Sequence, residues 1–185
     1  LQQLLCGFIV TNDGETIEVK SNRINAMLDA IEEMSGKVII WARFRKDIIT
    51  ITEVLRKKYG YKSTVDYFGD TSEKDRQHAI LGIENDPEVR FFVANPQTGG
   101  RGLTLVKATN VIYYSNDFDL EKRIQSEDRN HRSGQTNQVV YVDLIAKGTI
   151  DEYIVNVLHN KIVLAGKALN EEAKKWLQIS PKKSY

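Results

Sequence analysis

"KVIIWARFRKDIITITEVL", residues 37–55, changes rhythm once. From Lys37 to Ala42 the apolar residues are nearly contiguous, the mark of a short strand covered on both faces. From Ile48 onward, Ile48, Ile51, Val54 and Leu55 recur at helical spacing and fall on one face. A buried strand leading through polar "RFRKD" into an amphipathic helix is half of a strand–helix–strand unit.

The alternation extends in both directions. "STVDYF" (63–68), "VRFFVA" (89–94), "NVIYYS" (110–115) and "QVVYVDLIA" (138–146) read as further buried strands. Ile24, Met27, Leu28, Ile31 and Met34 mark a helix ahead of Lys37. Ser72 with Asp75 forms a capping-box pattern opening a helix over 72–84, and Thr149 with Glu152 opens another. Such alternation predicts an α/β domain with a parallel central sheet between two helical layers. The first 20 residues differ: "CGFIVTNDGETIEV" predicts a small hairpin around an Asn-Asp-Gly turn. No internal repeat or low-complexity linker is present, and "KKWLQISPKKSY" is expected to fray.

Composition sets wide bounds. The 185 residues suit one domain with a substantial core; 41% are hydrophobic and 28% charged, ordinary for a globular protein. A net charge of +1 excludes neither nucleic acid nor protein partners, because local patches hide in a balanced total. One cysteine, Cys6, excludes an internal disulfide and a paired-thiolate zinc site. No apolar run approaches the roughly 20 residues that span a bilayer, so no membrane partner is expected. The chain begins with Leu1 rather than methionine, as an excised or processed piece would.

In open parallel sheets ligands gather beyond the carboxyl ends of the strands. The segments there are "RFRKD", "GDTSEKDR", "NPQTGGRGLT" and "NDFDLEKRIQSEDRNHR". "TGGRGLTL" (98–105) frees the backbone for close approach to a ligand, or simply makes a tight connection. It is not a Walker A loop. The two Gly-Lys pairs, Gly36-Lys37 and Gly166-Lys167, have Ile31 and Lys161 where that motif needs glycine. Gln125, Arg129 and Arg132 stand at i, i+4 and i+7, on one face of a helix if the helix persists. Two guanidiniums and an amide there suit an anion with several oxygens. The plainer alternative is a charged surface helix in which Asp128 pairs with Arg132, and Glu121 with Gln125 or Arg129.

The order of these elements resembles the C-terminal RecA-like lobe of Swi/Snf-type ATPases, among the superfamily-two helicases. Gln125, Asp128-Arg129, His131-Arg132 and Gly134-Gln135 match the sixth helicase motif, and "GGRGLTL" resembles the fifth. "KVIIWARF" resembles the fourth, "YFGDTSEKDRQHAI" the segment after it, "SNRINAMLDAIEEMSGK" the lead-in and "TIDEYIVNVLHNK" the trailing helix. The resemblance covers about residues 1–165. It implies a three-layer, P-loop NTPase-like fold with the hairpin and trailing helix as additions. It divides the chain into a lead-in with hairpin (1–20), the lobe (21–168) and a C-terminal helix and tail (169–185).

The resemblance also implies function. ATP and Mg2+ would be held mainly by an N-terminal RecA-like lobe of the same polypeptide. Arg129 and Arg132 would be its arginine fingers, with Gln125, Gly100 and Gly102 also at the nucleotide. Double-stranded DNA would meet Arg43, Arg45, Gly69, Thr71, Gln97 and Thr98 through its backbone, and hydrolysis would drive translocation along it. Alternatives are an unwinding DNA or RNA helicase lobe and a degenerate binding module. Asn95-Pro96 stands where the family commonly has Ser-Thr, which puts the DNA contact at that loop in doubt; Ser133 replaces a usual aliphatic residue. Arg43 and Arg45 could instead form a solvated loop pairing with Asp47. His131 reads as orienting its loop, His78 and His159 as surface residues, Trp41 as core. Lack of large insertions suggests a bacterial or viral source and a cytoplasmic location, or a nuclear one if the source is eukaryotic.

Overall fold

The computed structural model describes residues 1–98, 103–130 and 137–168, the last three in backbone only. The elements are α1 (Gln2–Cys6), β1 (Phe8–Val10), β2 (Thr16–Glu18), α2 (Arg23–Glu32), β3 (Lys37–Trp41), α3 (Arg45–Tyr59), β4 (Thr64–Tyr67), α4 (Glu73–Asn85), β5 (Phe91–Ala94), β6 (Ala108–Tyr113), α5 (Leu120–Asp128), β7 (Val140–Asp143) and α6 (Ile150–Ala168). Five strands form one sheet in the order β4-β5-β3-β6-β7, and every pair in it is parallel. β3, the strand of the opening quotation, lies at the centre.

Burial on both faces explains its composition. Val38 and Ile40 join Met27, Ile31, Ile48, Ile51 and Leu55 of α2 and α3 on one side. Ile39 and Trp41 join Ala79 and Ile83 of α4 on the other. These four β3 side chains are fully buried, which a parallel sheet clad by helices demands. The strands match the expected ones with shifted ends. β7 is shorter than 138–146 because Gln138 is exposed and the chain beyond Asp143 bends to meet Asp151, whose carboxylate accepts the Ala146 N–H. Ser72 caps α4 by accepting the Asp75 N–H at 3.2 Å.

The hairpin forms from β1 and β2 and docks through Phe8, edge-on to Phe44 at 5.7 Å. α1 was not foreseen. It ends at Gly7, whose φ of 96° suits glycine, and a Cβ there would meet Val19 O and Ser21 Cβ at 3.2 Å.

A buried guanidinium fastens the lead-in to the body. Arg23 is 7% exposed, pairs with Asp151 of α6, and donates to Tyr114 O at 2.5 Å, Leu144 O at 3.2 Å and Leu5 O at 3.3 Å. Nearby, Asp47 in the first turn of α3 is 3% exposed. It therefore does not serve Arg43 or Arg45 as a surface partner: Arg43 Nε lies 3.8 Å from Asp117, and Arg45 pairs with Asp70 at 2.5 Å. Burial pushes the Asp47 carboxyl from 3.8 up to about 7, against the pull of the Cys6 thiol, the Arg23 charge and the Ser115 hydroxyl.

Between pH ~4 and ~7 the folded chain keeps a proton on Asp47 that the unfolded chain has released. Stability should fall as pH rises through this window, by at most about 1.4 kcal/mol per unit, and level off above it. Urea denaturation at pH 5 and pH 8 should show this loss in the wild type and a clearly smaller one in Asp47→Asn.

Candidate nucleotide and nucleic-acid interface

The carboxyl ends of β3, β5 and β6 open onto a cleft lined by Arg43, Asn95, Pro96, Tyr113, Asp117 and Lys122, among others. Side chains near the strand ends organise its loops. Asn95 donates its amide to Arg43 O at 2.7 Å and accepts the Gln97 N–H at 2.8 Å, while Thr98 N–H reaches Asn95 O at 3.1 Å. This turn built on an Asx side chain supplies local order where the family pattern has hydroxyls. Ser115 accepts the Arg43 N–H at 2.8 Å, joining the loops after β3 and β6.

Arg129 follows α5 directly. It is 5% exposed, donates to Pro96 O at 3.0 Å, and sets its guanidinium 5.1 Å from the centre of the Trp41 ring. The buried indole is thus both core and platform for a cation. Gln125 is exposed and donates to Glu121 at 2.8 Å, the bond of the plainer alternative. Gln125 and Arg129 therefore do not share one exposed face. Arg129 keeps helical φ and ψ just past Asp128, the last residue of α5, yet its side chain is buried against Trp41 while that of Gln125 stays in solvent. Arg132, Gly100 and Gly102 lie outside the described residues, as does His131.

A second guanidinium, which sequence reasoning missed, organises the cleft floor. Arg123 pairs with Glu127 and with Asp143 at 2.5 Å, donates to Asn116 Oδ1 at 2.9 Å, and lies 3.5 Å from the centre of the Tyr113 ring. Asn116 donates to Asp143 at 2.8 Å, and the Tyr113 and Ser126 hydroxyls meet at 2.6 Å. Burial opposes the Arg123 charge, but Asp143, Tyr113 and Glu127 outweigh it and hold the pKa well above the ordinary value. Glu127 is raised because its burial outweighs the pull of Arg123. A faint signal existed: Asp143 ends a buried strand opposite Tyr113, where a carboxylate needs a partner.

The residues expected to face DNA gather along the same edge. Arg45 is 68% exposed at its side chain and reaches Asp70 beside Gly69. Gly69 is exposed with open space around its Cα, and its carbonyl accepts from Arg76 at 3.0 Å. Thr71 spends its hydroxyl on the Phe68 N–H at 3.1 Å. Gln97 is exposed and Thr98 half-buried, on the neighbouring β5 loop. Arg43 is partly exposed but donates to Gln2 at 2.6 Å. His78 and His159 are exposed. Among the described residues no group of three His, Cys, Asp or Glu is arranged to hold a metal ion.

A parallel sheet of this order, with arginine-bearing loops at its carboxyl edge, defines a RecA-like lobe of the helicase class. The chain belongs to the helicase conserved C-terminal domain family, whose model matches residues 20–134, and within it to the Swi/Snf type. It is 32% identical over 158 residues to the chromatin-remodeling ATPase INO80 of Mycosarcoma maydis, covering 82% of this chain and 8% of that protein. It is 31% identical over 170 residues to the ATP-dependent helicase FUN30 of Saccharomyces cerevisiae, covering 89% and 15%. A solved structure, the C-terminal part of the Fun30 ATPase domain, superimposes with a TM-score of 0.67 at 30% identity, over 75% of this chain and 46% of that one. The chain thus spans a small part of these relatives' length. Both named organisms are eukaryotic, so the expectation of a bacterial or viral source finds no support.

Replacing Arg123 by alanine leaves buried Glu127 and half-buried Asp143 without their cation. Arg123→Ala should cost about 3–5 kcal/mol of stability, read as a lower urea midpoint.

Proposed function

We propose that this chain is the C-terminal motor lobe of an ATP-dependent translocase on double-stranded DNA, acting in chromatin remodelling and therefore in the nucleus. Residues 1–20 serve as lead-in and 21–168 as the lobe; the expected C-terminal helix and tail, 169–185, lies outside the described residues. A companion N-terminal lobe of the same polypeptide grips the triphosphate and Mg2+. Arg129 and Arg132 bring positive charge to the γ-phosphate as the lobes close, with Gln125, Gly100 and Gly102 beside the nucleotide. Arg43, Arg45, Gly69, Thr71, Gln97 and Thr98 meet DNA phosphates, contacts that read charge and shape rather than sequence.

The observation that carries the reading is the place of Arg129: a guanidinium at the carboxyl edge of the sheet, beside the loop after β5. One of its partners there is a neutral carbonyl, Pro96 O. A phosphate carries negative charge of its own and offers several oxygens to the planar guanidinium fork, so the guanidinium gains more from ATP in a closing cleft than from a single carbonyl. The side chain must turn out of the lobe to reach it. Closure then depends on the nucleotide, since the fingers favour the closed state only while the phosphate is present. Exposed Arg45 and Gln97 are available to DNA on the same edge, while the Thr71 hydroxyl contributes by shaping its turn.

The test uses a polypeptide carrying both lobes. It should hydrolyse ATP in a DNA-stimulated manner without displacing strands, whereas the present chain alone should not turn over ATP. Arg132→Ala should lower turnover by about a hundred-fold or more, with ATP affinity changed only a few-fold. Full activity in that variant removes the finger assignment, and strand displacement identifies an unwinding helicase instead.

A further inference from the structure

We infer that Asn130 is a positioning residue that ties the segment leading into β6 to the Arg129 backbone and so sets where the guanidinium is held. The inference rests on the proposed role of Arg129 and adds how that residue is held. Asn130 is fully buried and follows Arg129 directly. Its amide nitrogen donates to two carbonyls at once, Leu105 O at 3.0 Å and Ala108 O at 3.3 Å. The Arg129 carbonyl in turn accepts the Leu105 N–H at 2.9 Å. These bonds fix the segment leading into β6 to the corner after α5.

The segment after β5 is fixed to the same corner. Pro96 O holds the Arg129 guanidinium, and the Asn95 turn shapes the residues from Pro96 to Thr98. Both flanks of the stretch between Thr98 and Leu103 therefore converge on residues 129 and 130. Leu105 and Ala108 are fully buried, so the clamp cannot slip into solvent. Asn130 Oδ1 is buried with no hydrogen-bond partner, a cost to stability that the two donor bonds of the same amide offset. An apolar side chain would leave no stranded Oδ1 but would take away the donor that Leu105 O and Ala108 O accept from. The amide is needed for its two donors, and these set where the Arg129 backbone starts.

In the two-lobe polypeptide, Asn130→Ala should lower DNA-stimulated kcat on the order of ten-fold or more, with KM for ATP changed less than about two-fold, because misplacing a reacting group by an ångström costs rate and not ground-state binding. The decisive comparison is a double-mutant cycle. Added to Arg129→Ala, the Asn130 change should have almost no further effect. Independent, multiplicative effects would overturn the inference while leaving the finger intact, as would an unchanged kcat in Asn130→Ala. An Arg129→Ala motor with full activity overturns the finger and the inference together. Leu55→Ala, in α3 within the core on the other face of the sheet, controls for lost stability: if it lowers kcat equally at the same loss of Tm, Asn130 is merely structural. Asn130→Ser, a smaller polar side chain, replaces the alanine variant in the cycle if that one does not fold.

Discussion

A sheet of parallel strands has no face to give to water, and from that constraint the rest of the lobe follows. Each strand must be covered above and below, so each return to the sheet runs through a helix or a long connection. Every strand then points the same way and the carboxyl ends form one edge. Arg43, Asn95 and Ser115 follow β3, β5 and β6, far apart in sequence, and meet there through hydrogen bonds. The site is a by-product of how the core is clad.

Charge inside that edge is handled in pairs. Arg23 binds Tyr114 O and Leu144 O just past β6 and β7, and Arg123 binds Asp143 and Asn116 at the same two strand ends. Buried ion pairs contribute little net stability, because desolvation offsets the attraction. They do restrict geometry, since each guanidinium fork accepts few arrangements of its partners. The outer half of the sheet is thereby tied to α2 and α6 on one side and α5 on the other.

The alternation of strands and helices was legible because it rests on side-chain periodicity, which each segment carries alone. Buried Trp41 and the Ser72 cap were legible for the same local reason. α1 was not, since five residues with no buried side chain leave no periodic trace. Arg123 was hidden because a charged residue in a polar helix looks solvated, and its partner Asp143 lies 20 positions on. The shared exposed face of Gln125 and Arg129 was not legible from spacing: Arg129 keeps helical φ and ψ past Asp128, but its long side chain lies against Trp41 and Pro96 O, contacts that spacing along one helix does not carry. Asp47 looked like a surface partner for nearby arginines, yet the first turn of α3 points inward.

The stacking of Arg129 on Trp41 has an optical consequence. An indole's emission shifts with a charge held over its ring, and departure of the guanidinium changes the field the excited state feels. The chain has two tryptophans, Trp41 and Trp176. With Trp176 replaced by phenylalanine, Trp41 becomes a native fluorophore whose colour reports, without any label, whether the cation is at rest or withdrawn.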